Sequence, residues 1–341
     1  MNKQVVGFGE IMARLSPPGY SRIVQATSLE VEYAGAEANA LVSLAQFGVE
    51  SYFVTKLPEN PLGQAAAGAL RRFGVDTRHV LWGGDRLGLY FVEKGASQRA
   101  SVVIYDRAGS AIAGIQPGEV DWRQVLAGKD WLHFTGITPA LGAGPAEATL
   151  EAVRCARELG LQVSCDLNYR SKLWSREKAG QVLAGLMEYV DLAVVSHWDA
   201  QLLFGIGPDA AEVNGGSLTE KGLRQVSQRL AERFGHKLVA MTLREQYSAS
   251  ENGWSAVLYD GKELYRSREY RMQIVERIGG GDAFSGAVIY GLLEGHDLQY
   301  ALDFATAASC LKHTVPGDFN HVTVAEVAEL VGGDGSGRVR R

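Results

Sequence analysis

The chain has 341 residues, of which 46% are hydrophobic, and this combination suits a folded protein with one large α/β domain and a smaller appendage, or with two ordinary domains. Its 34 basic and 39 acidic residues give a formal net charge of -5 without any long block of one sign. The charge pattern therefore argues against nucleic acid and anionic membranes as partners and favours a small-molecule ligand.

Apolar segments along the chain alternate between strand and helix patterns. Strands are predicted at 5–8, 131–136, 161–165, 192–195 and 238–242, and helices at 145–159 and 175–187. Strands that alternate with helices are typical of a parallel sheet covered on both faces. Ligands of such sheets bind at the carboxyl ends of the strands, where Asp166, Ser196, Thr242 and the turn at Gly279 would lie.

Two stretches, 10–35 and 87–113, break this pattern because they are richer in alternating β-forming residues. Within the second stretch, 89–94 and 99–105 are predicted to form a hairpin. We interpret both stretches as a small β-sheet lid inserted into the main domain. Tyr105 and Arg107 are two residues apart, so they would point from one face, towards either a substrate or solvent.

Three cysteines, Cys155, Cys165 and Cys310, are widely separated and lie in apolar surroundings. This usage is typical of buried thiols in a reducing compartment. The N-terminal apolar stretch is interrupted by Glu10 and Arg14, so it does not resemble a signal peptide. We therefore expect a cytoplasmic protein.

Three consecutive glycines, Gly279, Gly280 and Gly281, precede Asp282 where an extended segment turns into an apolar helix. Glycines let the backbone approach a ligand closely, and a helix N-terminus can bind an anion. We predict a phosphate site here, in which Asp282 takes a proton from an attacking hydroxyl and the backbone amides stabilise the transferring phosphoryl group. The alternative is an ordinary glycine-rich turn with Asp282 as a helix cap.

Motifs of other enzyme classes are incomplete or missing from the sequence. Gly7 and Gly9 follow a strand, but the third glycine of a dinucleotide fingerprint would fall at Met12. The sequence also contains no P-loop, no serine nucleophile elbow and no histidine pair with helical metal-ligand spacing. Dehydrogenase, hydrolase and zinc-enzyme interpretations are correspondingly weak.

Two separated motifs resemble the signatures of the ribokinase-like, PfkB-type carbohydrate kinases. They are Gly35-Ala-Glu-Ala-Asn39, followed by Ala45 and Gly48, and Ile278-Gly-Gly-Gly-Asp282-Ala-Phe. The resemblance extends over nearly the whole chain. It implies a ribokinase-like three-layer α/β fold with a mostly parallel central sheet and a small inserted β-sheet lid. The expected division is a catalytic domain at 1–9, 36–86 and 114–331, a lid at 10–35 and 87–113, and a flexible tail at 332–341.

Within that family, the chain resembles bacterial 2-keto-3-deoxygluconate kinases in several segments. These are Asp166-Leu-Asn168-Tyr-Arg170, Tyr90, Tyr105-Asp-Arg107, Thr242-Leu-Arg244-Glu245 and His313-Thr-Val-Pro-Gly-Asp318-Phe-Asn320. The resemblance implies that the sugar contacts Gly35, Asn39, Tyr90, Tyr105, Arg107, Arg170 and Asp318. It places the nucleotide near Asn168, Thr242, Arg244, Gly279 and Gly281. Catalysis is assigned to Asp282 with Gly279, Gly280 and Gly281.

Arg107 and Arg170 are expected to face the carboxylate of the sugar. Guanidinium groups stay charged and match carboxylate oxygens with a planar donor fork, which a kinase for an acid sugar needs and one for a neutral sugar does not. Arg14 adds to this expectation, because ribokinases and fructokinases tend to have a hydroxyl-binding aspartate at about that place. Arg14 could contact the substrate or lie on the surface.

The resemblance implies ATP-dependent phosphorylation of 2-keto-3-deoxygluconate at its terminal hydroxyl, with Mg²⁺ carried by the nucleotide. The alternatives are a kinase for fructose, ribose or 2-keto-3-deoxygalactonate, and a ligand-binding regulator without efficient catalysis. The regulator is suggested by one departure: the family's Asn-x-x-Glu element, which organises magnesium, reads Ser196-His-Trp-Asp199 here. A protein metal ligand is therefore left open.

Two smaller departures are Ala34 in place of a glycine and Glu276 as the acidic residue that opens the second motif. A homodimer or higher homo-oligomer could form through the lid.

Overall fold

The computed structural model describes residues 2–214 and 217–333. Its α-helices are α1 (Ala36–Gln46), α2 (Pro61–Arg72), α3 (Trp122–Leu126), α4 (Ala143–Glu158), α5 (Arg176–Met187), α6 (His197–Phe204), α7 (Glu220–Phe234), α8 (Gly280–Leu293), α9 (Leu298–Lys312) and α10 (Val324–Gly332). Its strands are β1 (Gln4–Phe8), β2 (Met12–Ser16), β3 (Glu30–Ala34), β4 (Glu50–Leu57), β5 (Val75–Asp76), β6 (Val80–Trp82), β7 (Leu89–Glu93), β8 (Val102–Asp106), β9 (Trp131–Thr135), β10 (Gln162–Asp166), β11 (Leu192–Val195), β12 (Val213–Asn214), β13 (Ser217–Leu218), β14 (Leu238–Gln246), β15 (Glu251–Tyr259), β16 (Leu264–Arg266) and β17 (Tyr270–Gln273). Most of the predicted tail, 334–341, lies outside the described residues.

The large sheet contains a run of parallel strands in the order β14-β11-β10-β9-β1-β4-β5. Every residue of β9 is buried, and Val5 and Val6 of β1 belong to hydrophobic clusters on opposite faces. Such burial is expected where helices cover both faces of a parallel sheet. The predicted strands β1, β9, β10, β11 and β14 are adjacent in this run, and β14 continues to Gln246, beyond its predicted end at Thr242.

Helices cover the large sheet on both faces. One hydrophobic cluster includes residues of α1, α2, α8, α9 and α10, and the other includes residues of α3, α4, α5, α6 and α7. The sheet between them completes three layers, which confirms the predicted ribokinase-like α/β fold class. Among the described parts of the chain, none of the helices combines the length and the hydrophobicity needed to cross a bilayer.

An antiparallel edge that the sequence patterns did not predict follows β14. This strand pairs with β15, and β15 pairs in turn with β16 and β17. The turn between β14 and β15 lies beside the segment before α8, because the Ile274 amide donates to the Ser250 carbonyl at 2.9 Å. The edge therefore places a hairpin turn next to the predicted phosphate site.

Four strands form a separate small sheet in the order β3-β2-β7-β8. Strands β7 and β8 form the predicted hairpin, with Leu89 opposite Asp106 and Glu93 opposite Val102, although β8 begins three residues after the predicted position 99. The inserted β-sheet of the predicted fold is therefore present, and we call it the lid. Val31, Val102 and Ile104 of the lid are exposed.

The glycine turn before α8 requires glycine at two positions. Gly279 has a φ of +86°, a left-handed conformation, and a Cβ there would lie 2.1 Å from the Asp318 carbonyl oxygen. A Cβ on Gly280 would lie 2.2 Å from the ring of His313. The segment after α9 therefore packs directly against the turn, and this contact fixes the entry into α8.

Candidate active site

A cavity of about 430 Å³ lies between the lid and the carboxyl ends of the parallel strands, a size suited to a small ligand. Twelve residues predicted for the site line it: Gly35, Asn39, Tyr90, Tyr105, Arg107, Asn168, Arg170, Arg244, Gly279, Gly281, Asp282 and Asp318. Two predicted residues, Thr242 and Gly280, are not among the lining residues. Gly280 faces His313 instead of the cavity.

The first turn of α8 supplies the backbone groups at one end of the cavity. Gly279 caps this helix, and the amides of its first turn have no acceptor within the helix. A Cβ on Gly281 would meet nothing within 4 Å, so the backbone is open there to a ligand. Since the positive end of the helix dipole lies at the same place, the turn is suited to an anion.

Asp282 lies in the first turn of α8 and faces α1. Its Oδ2 accepts a hydrogen bond from Nδ2 of Asn39 at 2.7 Å. Burial raises the pKa of the Asp282 carboxyl to about 8, although the Asn39 hydrogen bond opposes the shift and the nearby Asp166 adds to it. A carboxyl whose pKa lies near neutrality can accept a proton from a ligand hydroxyl and release it again.

Asp166 lies at the end of β10 and is a second acidic group in the cavity. Burial raises its pKa to about 7, while Arg170 lowers it and Asp199 raises it. Asn168, two residues later, has a φ of +38°, a left-handed conformation that asparagine tolerates better than most residues. The strand pattern predicted that Asp166 lies at this edge, and Asp166 opens one of the segments that carry the resemblance, but no site role was assigned to it.

Aromatic side chains of the lid form one wall of the cavity. The rings of Tyr90 and Tyr105 stack with their centres 5.9 Å apart, and the Arg107 guanidinium lies 5.3 Å from the Tyr105 ring centre. Tyr105 and Arg107 thus share a face, as their spacing predicted. The Tyr90 hydroxyl donates to the Asp318 carboxylate.

The two arginines predicted to face a carboxylate differ in their surroundings. Arg107 is buried and pairs with Glu10, which also accepts from Ser110, and the Arg107 Nε has no hydrogen-bond partner. Arg170 is exposed and donates to the carbonyl of Tyr169 at 3.2 Å, without an ion pair to any described residue. Arg170 therefore brings a positive charge to the cavity, which acts on Asp166 and Asp282 and is available to a ligand anion as well.

Arg14 is 1% exposed, so the surface alternative for this residue is wrong. From β2 of the lid, its guanidinium pairs with Glu276 at 2.5 Å and with Asp318. The other carboxylate oxygen of Glu276 accepts from the amides of Arg277 and Ile278 at 2.9 and 3.2 Å. We call Arg14, Glu276 and Asp318 the buried charge triad, and it connects the lid to the turn before α8.

The predicted role of Asp318 as a sugar contact is not tested by this arrangement. One of its carboxylate oxygens accepts from Arg14 and the other from Tyr90. Glu10, Glu37 and Arg277 also line the cavity and were not predicted. Glu37 accepts from Thr135 and Thr138 at 2.7 Å, and its place inside the first motif was the one signal that could have indicated it.

A metal site built from protein side chains is not evident in the part of the chain that the structure describes. That part contains no group of three or more His, Cys, Asp and Glu residues that could hold an ion. Ser196 caps α6, and its hydroxyl accepts from the Asp199 amide at 3.0 Å. The residues at this position thus form a capped helix N-terminus.

Comparisons with known proteins agree on one family. Residues 2–323 match the model described as pfkB family carbohydrate kinase. The chain is 34% identical over 338 residues to a 2-dehydro-3-deoxygalactonokinase of Haloferax volcanii, with 99% of each chain covered. It is 27% identical over 329 residues to a 2-dehydro-3-deoxygluconokinase of Bacillus subtilis, with 96% of this chain and 94% of that one covered. The crystal structure of a 2-dehydro-3-deoxygluconokinase from Thermotoga maritima superposes with a TM-score of 0.93 at 46% identity, covering 97% of this chain and 100% of that one.

Proposed function

The chain belongs to the pfkB family of carbohydrate kinases and is a phosphotransferase with an alcohol group as acceptor, and we propose that it phosphorylates 2-keto-3-deoxygluconate at its terminal hydroxyl. ATP is the phosphoryl donor and the product is the 6-phosphate. The observation that carries this assignment is the guanidinium of Arg170, which makes no ion pair with the described residues and lies with Arg107 in the cavity that also holds Asp282. Positive charge at this place suits the carboxylate of an acid sugar.

In the proposed reaction, the sugar hydroxyl gives its proton to the Asp282 carboxylate as its oxygen bonds to the γ-phosphorus. The bond from that phosphorus to the bridging oxygen of ADP breaks. The amides of the first turn of α8 stabilise the charge of the transferring group, and Asn39 orients the Asp282 carboxylate. Mg²⁺ bound to the nucleotide phosphates would neutralise part of their charge.

We further propose that the lid covers the bound sugar. Residues 10–35 and 87–113 form this lid, residues 1–9, 36–86 and 114–331 form the catalytic domain, and Tyr90 and Tyr105 contact the sugar from above. A closed lid excludes water, which would otherwise compete with the hydroxyl for the phosphoryl group. Association of two copies through the lid, and a cytoplasmic location, stay predictions.

A second candidate substrate is 2-keto-3-deoxygalactonate, the epimer of the same acid. It is favoured by the similarity to the Haloferax volcanii relative named for that sugar. Both epimers carry the carboxylate that the arginines would bind, so the arginines do not discriminate between them.

The substrate is tested by ADP release with MgATP and either keto acid, fructose or ribose, in the wild type and in Arg170→Ala. The wild type should use the keto acids, and Arg170→Ala should lower kcat/KM for them by about 10- to 100-fold, because a charged hydrogen bond is lost. Arg176→Ala is the matched control, since Arg176 pairs on the surface with Glu177. A wild type that prefers a neutral sugar would refute the assignment.

The pH dependence of turnover should follow the ionisation of Asp282. Its pKa is raised to about 8 and only the carboxylate accepts a proton, so kcat/KM should rise about tenfold per pH unit below that value and then level off. Asp166→Asn removes a negative charge that contributes to the raised pKa, so it should move the rising limb to lower pH. Initial rates from about pH 5.5 to about 9.5 measure both, and a kcat/KM that falls across this range would contradict the role of Asp282.

A further inference from the structure

Arg277 lies two residues before the glycine turn and lines the same cavity as Gly279 and Gly281. Its Nη2 donates to the carbonyls of Ser248 and Ala249 at 3.2 and 3.3 Å and to Oδ1 of Asn252 at 3.3 Å. These acceptors belong to the β14–β15 hairpin and its turn, and all of them are uncharged. The hairpin therefore fixes the position of the guanidinium without neutralising its charge.

Arg244 provides a second guanidinium in this cavity. Its carbon Cζ lies 5.1 Å from the centre of the Trp254 ring, and Arg244 makes no ion pair with the residues that the structure describes. The surrounding protein, together with the charge of Arg277, lowers the pKa of Arg244, although its side chain keeps contact with solvent. Burial likewise lowers the pKa of Arg277. Two like charges held near each other are unfavourable unless an anion joins them.

From this geometry we propose that Arg277 is a phosphate-binding residue, which together with Arg244 holds the phosphate chain of the nucleotide against the glycine turn. The proposal rests on the proposed kinase function and extends it, because Arg277 lies within the second motif, between Glu276 and Ile278, without an assigned role. Its ligand class is a nucleoside polyphosphate, whose successive phosphates present several negatively charged oxygens to the two guanidinium groups.

The positive charges of Arg244 and Arg277 balance the acidic residues of the cavity. The cavity contains the acidic residues Asp282 and Asp166, and in their charged forms these carboxylates repel a polyphosphate. Arg244 and Arg277 supply positive charge that offsets this repulsion, beside the turn where the phosphoryl group is transferred. Arg277 also connects this turn to the hairpin, so the test must distinguish phosphate binding by Arg277 from a purely structural role.

The test compares the binding of a non-hydrolysable ATP analogue and of AMP, both with Mg²⁺, by titration calorimetry. Arg277→Gln should bind the analogue about 10- to 100-fold more weakly than the wild type while its affinity for AMP changes less than about twofold. Arg277→Lys keeps the charge and should recover most of the affinity. Arg271→Gln is the matched control, because Arg271 lies on β17 and pairs with Glu251 at 2.6 Å.

Three results would overturn the proposal. The first is an unchanged affinity of Arg277→Gln for the analogue. The second is a loss of affinity for AMP as large as the loss for the analogue, with no recovery in Arg277→Lys, and it would assign Arg277 a structural role only. The third is a raised KM for the keto acid at unchanged affinity for the analogue, which would place the sugar carboxylate on Arg277. A wild type that binds no nucleotide would instead refute the proposed function, and the inference with it.

Discussion

Asp282→Asn is expected to fold normally and to lose about 10²- to 10⁴-fold in kcat, the range that general-base catalysis contributes. Asparagine has nearly the same shape and can still accept the hydrogen bond from Asn39, but it cannot take a proton from the sugar hydroxyl. ADP release at saturating sugar and MgATP measures the loss. The affinity for both substrates should change little, since the lost interaction acts in the transition state.

The stability of Asp282→Asn shows whether its loss of kcat is due to unfolding. The folded-state pKa of Asp282 is raised above its unfolded value, so the stability that the protonated form contributes is present at low pH and lost as the pH rises through about 8. Asp282→Asn should therefore be at least as stable as the wild type at pH 8. Asp297→Asn, which exchanges one good cap of α9 for another, is the control with unchanged kcat. A kcat of Asp282→Asn within about fivefold of the wild type would remove Asp282 from the chemistry.

Arg14→Met is expected to lower the free energy of unfolding by about 3–5 kcal/mol, because it removes the guanidinium that two buried carboxylates share. Glu276 then keeps only the more distant Lys94, at 3.5 Å, as an ion-pair partner among the described residues. Glu276 and Asp318 are both 4% exposed. Although burial acts in the opposite direction, Arg14 and, to a smaller extent, Lys94 and Lys312 lower the pKa of Glu276, so Arg14 is the main group that favours its charged form. Urea unfolding followed by tryptophan fluorescence measures the change.

Two further variants test the cause of this loss. Arg176→Met removes an exposed arginine whose ion pair is on the surface, and it should change stability by less than about 0.5 kcal/mol. The triple variant Arg14→Met, Glu276→Gln, Asp318→Asn removes all three charges and should regain part of the stability. If the triple variant were no more stable than Arg14→Met, unpaired charge would not be the reason for the loss.

The parallel part of the fold could be predicted because burial on both faces leaves uninterrupted apolar runs in the sequence. Strand β11 is of this kind, whereas His133 interrupts the apolar run of β9 and Ser164 interrupts that of β10. The antiparallel edge at β15 was missed because it breaks the strand–helix alternation on which the prediction depended. The lid was predicted from the opposite signal, a change to alternating β-forming residues.

The candidate site was predictable where short motifs mark it and unpredictable where distant residues meet. Gly279 and Asp282 are adjacent in sequence to other marked residues, whereas Arg14 meets Glu276 across 262 positions and Asp318 across 304. The charge of Arg14 can be read from the sequence but its partners cannot, so contact with the substrate and a position on the surface both stayed open. Arg277 was missed for the same reason, since its acceptors come from an edge hairpin that had not been predicted.

The contact between the glycine turn and the segment after α9 has a consequence for how the protein can vary. The Asp318 carbonyl occupies the space beside Gly279, and the His313 ring occupies the space beside Gly280. In the same segment, Nζ of Lys312 donates a hydrogen bond to the Gly317 carbonyl at 2.7 Å. A larger residue at Gly279 or Gly280 would need a compensating change in that segment. The two stretches are therefore interdependent in sequence, and a chimaeric kinase that exchanged one of them without the other would lose the shape of its phosphate site.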